Sequence, residues 1–249
     1  MVTMKTCCEI YARQHGKFYR KRMASQLILS RLLQLASPML PVGAYSYSQG
    51  LEWAIECKAV HDHNSVSHWI GDALNTYQLH FELPLLSRLW QAWDSHHMQA
   101  VEQWDTFYQA GRDTAEALAE TRQMGYSLCR LIHALDDLPA VLKRQLDSLN
   151  QPAFPTVYAA LANHWQIPVA EAMHGYIWGW LENQVSAAMK TVPLGQVAGQ
   201  TILLQLGQVL PSVVESAIQI QDDEISNFNP LLSIAGARHE TQYSRLFRS

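Results

Sequence analysis

Charge is scarce in this sequence. Asp, Glu, Lys and Arg make up 16% of its 249 residues while 48% are hydrophobic, against about a quarter charged in an ordinary soluble domain. A chain of this kind is either unusually compact or has apolar surface covered by partners. The few charges sum to −4, with a pI near 6.2, so no global basic field argues for nucleic acid. Cysteine is also sparse: Cys7, Cys8, Cys57 and Cys129 form no Cys-x-x-Cys pair and no disulfide framework. A reducing cytoplasm is the expected compartment, with Cys57 and Cys129 as small core residues. No G-x-x-x-x-G-K-[ST] stretch is present, which excludes a P-loop phosphate cradle, and no H-E-x-x-H, since His239-Glu240 runs on into Thr241, Gln242 and Tyr243. The start of the sequence has no continuous apolar region of the kind a signal peptide needs.

Strand signals are missing as well, and helical ones fill the space. Leu27, Leu29, Leu32, Leu33 and Leu35 recur in "SQLILSRLLQLAS", with Ser25 a possible N-cap. A second helix is expected from about Ser48 to Lys58, and a third with Val66, Trp69, Ile70, Ala73, Leu74 and Tyr77 on one face, kinked or ended by Pro84. Further helices are predicted near 97–110, 112–135, 139–148, 155–165 and 168–190, with Pro139, Pro155 and Pro168 where a first turn tolerates proline. The fold class is all-α, a single domain of eight to ten helices. Residues 1–22 differ from the rest, carrying six basic residues against the single acid Glu9. They read as a basic extension, a disordered tail or sequence upstream of a start at Met23; a transit peptide or an anion-binding arm is the alternative. The helical domain is then 23–249, with a distinct tail from about 229.

The stretch 193–221 is long enough to span a bilayer, yet Gln196, Gln200, Gln208, Ser212, Glu215 and Gln219 set a polar stripe along it. A soluble helix buried on most of its girth is the expectation. Gly195, Gly199 and Gly207, with Ala198, permit a neighbouring helix to approach closely, in the core or across a dimer interface.

Three places invite chemistry. "ASPMLPVGAYSYSQGLEWAIE" (36–56) is rich in proline, glycine, serine and tyrosine, although helix connections of about 2–8 residues need no aromatics. Its "SYSQG" lacks the first glycine of the G-x-S-x-G nucleophile elbow and follows a helix rather than a strand. Gly43 and Gly50 read instead as turn residues, and Ser48 as a cap. His61, His63 and His68 are weak metal-ligand candidates of the sort Ni²⁺ or Cu²⁺ favours, the plainer reading being a polar turn capped by Asp62 or Asn64. Acids such as Glu116, Glu120, Asp136 and Asp137 read as solvated surface. "NPLLSIAGARHETQYSRLFRS" (229–249) mixes aromatics and arginines of the kind interfaces use as anchors, unless the tail docks on its own domain.

Two of these segments carry a family signature. "LLQLASPMLPVGAYSYSQGLEWAIE" near the start and "HETQYSRLFRS" at the end resemble the UreF family of urease accessory proteins, and "TRQMG" (121–125) and "VPLGQ" (192–196) fall in the family's order. The likeness runs from about residue 24 to 249; Ala44 stands where the family usually has a glycine. It implies an all-helical cytoplasmic homodimer with no catalytic residues and no cofactor, nucleic acid or membrane partner of its own. Such a protein binds UreD (also called UreH) and recruits the GTPase UreG, so that Ni²⁺ reaches apo-urease in a complex that handles both metal and GTP. The tail becomes ordered against UreD in that family. Its motif maps partner contacts onto Arg238, His239, Glu240, Tyr243, Arg245, Leu246, Phe247 and Arg248, with Tyr45, Tyr47, Gln49 and Glu52 as a second group and Lys190 as a contact for UreG. The rival class is an all-α metal- or cofactor-dependent enzyme using His133, His164 or His174, though the Glu-x-x-His repeat of carboxylate-bridged bundles is absent.

Overall fold

Residues 25–249 are described by a computed structural model; the basic segment 1–22 lies outside them. Among the described residues there is no strand, and twelve α-helices follow one another. Helix α1 covers 25–35, and a looped connection with a 3₁₀ turn at Ala44–Ser46 leads to α2 (Leu51–Glu56). Helix α3 (His63–Ala73) runs through a π-helical stretch (Leu74–Glu82) into α4 (Leu83–Asp94). Then come α5 (Met98–Ala110), α6 (Ala115–Ala134), α7 (Ala140–Asp147), α8 (Phe154–His164), α9 (Val169–Thr191), α10 (Gln196–Gly207), α11 (Leu210–Gln219) and α12 (Pro230–His239).

The starts are set by local chemistry. Asp62 caps α3, accepting from the Ser65 amide at 2.8 Å while Ser65 Oγ accepts from the Asp62 amide at 3.0 Å, a reciprocal capping box. Thr114 and Asn229 cap α6 and α12 with their side-chain oxygens alone, accepting from the amides of Ala117 and Leu232. Pro84 does not end its helix. It has no N–H to donate, and the preceding π register, in which the Leu83 amide reaches back to Gln78 O, widens the turn and absorbs the missing bond.

Helix α9 is the axle. It packs against α2, α3, α4, α8, α10 and α11, and Ile177, Leu181 and Val185 on it are almost fully buried. The predicted apolar face of α3 is buried as expected, with Val66, Ile70 and Leu74 at 0% exposure. Gly125 permits the α6–α8 contact: a Cβ there would run into the carbonyl oxygen of Pro152.

Three expectations need correction. Helix α2 is shorter than predicted, because Gln49 (φ 54°) and Gly50 (φ 82°) turn left-handed before it and Lys58 (φ 63°) after it. Cys57 is consequently exposed in the turn rather than in the core, and Cys129 is only half-buried. The 193–221 stretch breaks at 208–209, and it is not buried on most of its girth: Val197, Leu204 and Val209 are 81%, 69% and 40% exposed. The glycines Gly199 and Gly207 face inward, onto Met189 and Trp178 of α9. Only Gly195 looks onto open space.

Candidate partner interface

The two segments singled out by sequence meet. Residues 240–249 fold back over α2, α6 and the 45–50 loop, and nearly every polar group that the fold-back buries finds a partner there. The main-chain oxygen of Ser249 accepts from the amides of Ser48 (2.7 Å) and Gln49 (3.0 Å) and from Ser48 Oγ (2.8 Å). The left-handed turn at Gln49–Gly50 is what lets successive amides converge on one oxygen. Arg248 N donates to Ser46 O at 2.8 Å. Gly50 has a further reason to be glycine: a Cβ would stand 2.9 Å from Cβ of Ala235, where α12 crosses α2.

Glu52 is the centre of the lock. Its carboxylate accepts from the amides of Leu246 (2.6 Å) and Phe247 (3.0 Å), and Nε2 of His239 lies 3.2 Å from it. His239 is fully buried, and its Nδ1 lies 2.8 Å from Glu116. A ring with a proton on each nitrogen satisfies both carboxylates at once. Arg245 pairs with the other oxygen of Glu116, whose own amide donates to Glu240 at 3.1 Å.

Glu120, one turn further along α6, accepts from Gln49 Nε2 and from Ser249 Oγ, each at 2.7 Å. Burial pushes its carboxyl above the ordinary 4.5, against the opposing pull of those two donors. Glu116 and Glu120 are therefore part of the lock and not the solvated charge expected of them. Their i, i+4 spacing, which puts both carboxylates on one helix face, was the available signal.

The remaining members are held from α9. Trp180 Nε1 donates to Gln49 Oε1 (2.7 Å) and Asn183 Nδ2 to Tyr47 O (3.0 Å). Tyr47 is buried, which with the nearby Glu120 charge raises its phenol pKa. Tyr45 is half-buried and reaches Glu182 at 3.4 Å; burial, then that carboxylate, pushes its pKa up to about 12. Lys190 stands 5.5 Å over the ring of Phe247, which is only 5% exposed.

The residues proposed from sequence thus sort into two sets. Tyr47, Glu52, His239 and Phe247 are buried inside the lock, with Tyr45 and Gln49 half-buried at its edge. Arg238, Glu240, Tyr243, Arg245, Leu246, Arg248 and Lys190 are exposed. Tyr243 touches nothing of its own chain to speak of, at 105% exposure, and Leu246 is 64% exposed. Phe228, just before α12, and Leu231 and Ile234 on it are also exposed, at 79%, 53% and 52%. Sequence reasoning placed the last two inside the tail region without singling them out. The i, i+3 spacing of Leu231 and Ile234 was the clue.

A cavity of about 90 Å³ adjoins the lock, lined among others by Tyr45, Gln49, Gln78, Arg112 and Glu120. Beside it, Glu82 accepts from Tyr108 (3.0 Å) and Tyr176 (2.9 Å) and pairs with the buried Arg112. This internal ion pair carried no sequence signal.

The histidines are not gathered. His61 contacts Lys58 O at 3.2 Å, His63 lies beside Asn64, and His68 is exposed one turn on. His133 sits on α6 against Cys129 O and Asp147, His164 is exposed at the end of α8, and His174 lies half-buried on α9. Among the described residues no group of three or more His, Cys, Asp or Glu is placed to hold a metal ion.

Comparison with known proteins places this geometry. The family model UreF matches residues 60–207. The urease accessory protein UreF of Methylobacillus flagellatus is 59% identical over 227 residues, which is 91% of this chain and all of that protein. The proteins of the same name from an Azoarcus species and from Dechloromonas aromatica are 52% and 46% identical, over 90% and 91% of this chain and 96% and 100% of their own lengths.

Proposed function

Because the chain belongs to the UreF family of urease accessory proteins, we propose that it serves urease maturation as a scaffold with no catalytic step of its own. It acts as a cytoplasmic homodimer, binds UreD through the surface built by its tail, and recruits and regulates UreG while Ni²⁺ is delivered to apo-urease. Metal and GTP belong to the complex, in keeping with the missing P-loop in this sequence.

One observation carries the assignment of the UreD surface. The lock satisfies its buried polar groups internally, Gln242 Oε1 excepted, yet holds Tyr243 and Leu246 out in water, on a C-terminal segment that also exposes Phe228, Leu231 and Ile234. Apolar side chains left in water, on a segment that also exposes Arg238, Arg245 and Arg248, fit the composition of interface hot spots. A tail already docked on its own domain also loses less conformational entropy when a partner arrives than a free tail would.

The test is co-purification of the tagged chain with UreD and UreG in the presence of GTP and Mg²⁺. Replacing both anchors (Tyr243→Ala with Leu246→Ala) is expected to weaken the UreD complex by about 2 kcal/mol or more, with an unchanged thermal midpoint. A double variant that still co-purifies at wild-type yield would remove the tail surface from the UreD interface.

A further inference from the structure

The stretch Thr121 to Gly125, "TRQMG", is divided between the fold and the surface. Thr121, Met124 and Gly125 are buried in α6, where Thr121 Oγ1 accepts from the Phe154 amide at 3.1 Å and Gly125 admits the Pro152 carbonyl. Arg122 and Gln123 are exposed and serve neither contact. They line a groove of about 600 Å³ between α6 and residues 146–152, together with Tyr126, Arg130, His133 and Leu149 among others. None of these residues belongs to the tail surface.

Charge selects what fits there. Arg122 reaches the neutral Gln109 Oε1 at 2.8 Å, and Arg130 makes no hydrogen bond or ion pair among the described residues. Asp147, the one acid lining the groove, stands 3.1 Å from His133 Nε2 and is engaged there. Two guanidiniums thus lack a carboxylate, on a chain whose net charge is −4. Between them in sequence Tyr126 is 57% exposed, and arginine with tyrosine is the anchor composition of protein interfaces. Arg122 and Arg130 are eight positions apart on one helix, about 12 Å at 1.5 Å per residue. A helix laid along α6 matches that span with acids seven or eight positions apart on one of its own faces. The same charge excludes nearer occupants. Residues 1–22 carry six basic residues against Glu9, so the chain's own N-terminal segment is repelled. A second copy meeting groove to groove about a two-fold axis would set guanidiniums against guanidiniums.

We propose that this groove binds an acidic amphipathic helix of a partner protein, whose two acids pair with Arg122 and Arg130 and whose apolar face covers Tyr126 and Leu149. The groove is separate from the tail surface assigned to UreD, and its test uses neither UreD nor UreG.

The probe is a phage-displayed library of random peptides of about 16 residues, or four helical turns. It is panned on the full chain, with the double variant Arg122→Glu and Arg130→Glu as the counter-selecting protein. Both arginines are exposed, so the thermal midpoint of the variant should equal that of the wild type. Enriched peptides are expected to carry two acids seven or eight positions apart with an apolar residue between them. Fluorescence anisotropy of a labelled synthetic copy should show at least about 30-fold weaker binding to the double variant and about 10-fold weaker binding to Tyr126→Ala. Glutamine in place of the two acids of the peptide should weaken binding to the wild type to the same degree as the double variant does. No enrichment, enrichment without paired acids, or peptides that bind the double variant as tightly as the wild type overturn the proposal. A single-stranded oligonucleotide that binds the wild type and not the variant, with no peptide enriched, would give the groove to nucleic acid instead.

Discussion

Removing the Glu52 carboxylate is the sharpest way to probe the tail lock. Glu52→Ala leaves three donors without an acceptor: the amides of Leu246 and Phe247 and Nε2 of His239. His239 has no access to water, and Phe247 is 5% exposed. Leaving a buried donor unsatisfied costs about 1–3 kcal/mol. Leu246 is exposed enough for its amide to recover a water, so the expected loss is about 3 kcal/mol. That loss does not fall on the whole domain, because the helices do not depend on the tail for their own ladders. It falls on the docking equilibrium of residues 239–249, from the end of α12 onward, whose opening constant should rise about 100-fold. Hydrogen exchange read by mass spectrometry measures this directly. Amides of 246–248, protected in the wild type, should exchange about 100-fold faster, while those of α8 and α9 stay slow. Tyr243→Ala, which removes no internal contact, should leave the same amides unchanged. If Glu52→Ala alters exchange at 246–248 by less than threefold, Glu52 is not what holds the tail.

Three other outcomes follow from single contacts. Glu120→Gln fixes the group neutral; its Oε1 still accepts from Gln49 Nε2, while its Nε2 donates to Ser249 Oγ and so reverses that bond. Because burial raises the Glu120 carboxyl in the folded chain, its contribution is complete below the ordinary glutamate range and is lost as pH rises through the raised value. The wild type should therefore lose stability relative to the variant as pH rises above about 4.5, and the thermal midpoint of the variant should vary less with pH on that side. Glu82→Ala strands the buried Arg112 guanidinium and takes an acceptor from Tyr108 and Tyr176. It should cost about 3–5 kcal/mol of global stability, seen as a lowered urea midpoint. Gly125→Ala drives a methyl into Pro152 O at the α6–α8 crossing, and calorimetry should show a loss of at least about 2 kcal/mol, with no rescue by a second substitution at a side chain because the obstacle is backbone.

Much of the architecture could be read from the sequence because it is written in local terms. The apolar face of α3 follows the 3.6-residue period, and Asp62 at its start, like Pro155 and Pro168 at the starts of α8 and α9, marks a helix end within a few residues. The tail and loop motifs also announced themselves, through aromatics and arginines where a chain end and a helix connection do not need them. The errors have physical causes too. The reading of 193–221 as mostly buried took an apolar composition for burial, and composition does not say which side a neighbour occupies. Cys57 was placed in the core because the left-handed turns that shorten α2 depend on Gln49 and Lys58, neither of which is glycine.

What the sequence by itself determined was a set of helices, their apolar faces, and two unusual segments. What only the tertiary structure decided was that these two segments serve each other. Ser48 and Ser249, or Glu52 and His239, lie 201 and 187 positions apart, and no periodicity links residues at such separations. Hydrogen-bond complementarity becomes visible once packing around α9 brings α2, α6 and α12 together. Only then do Glu52, Glu116 and Glu120 cease to be surface acids and become the acceptors that hold the tail.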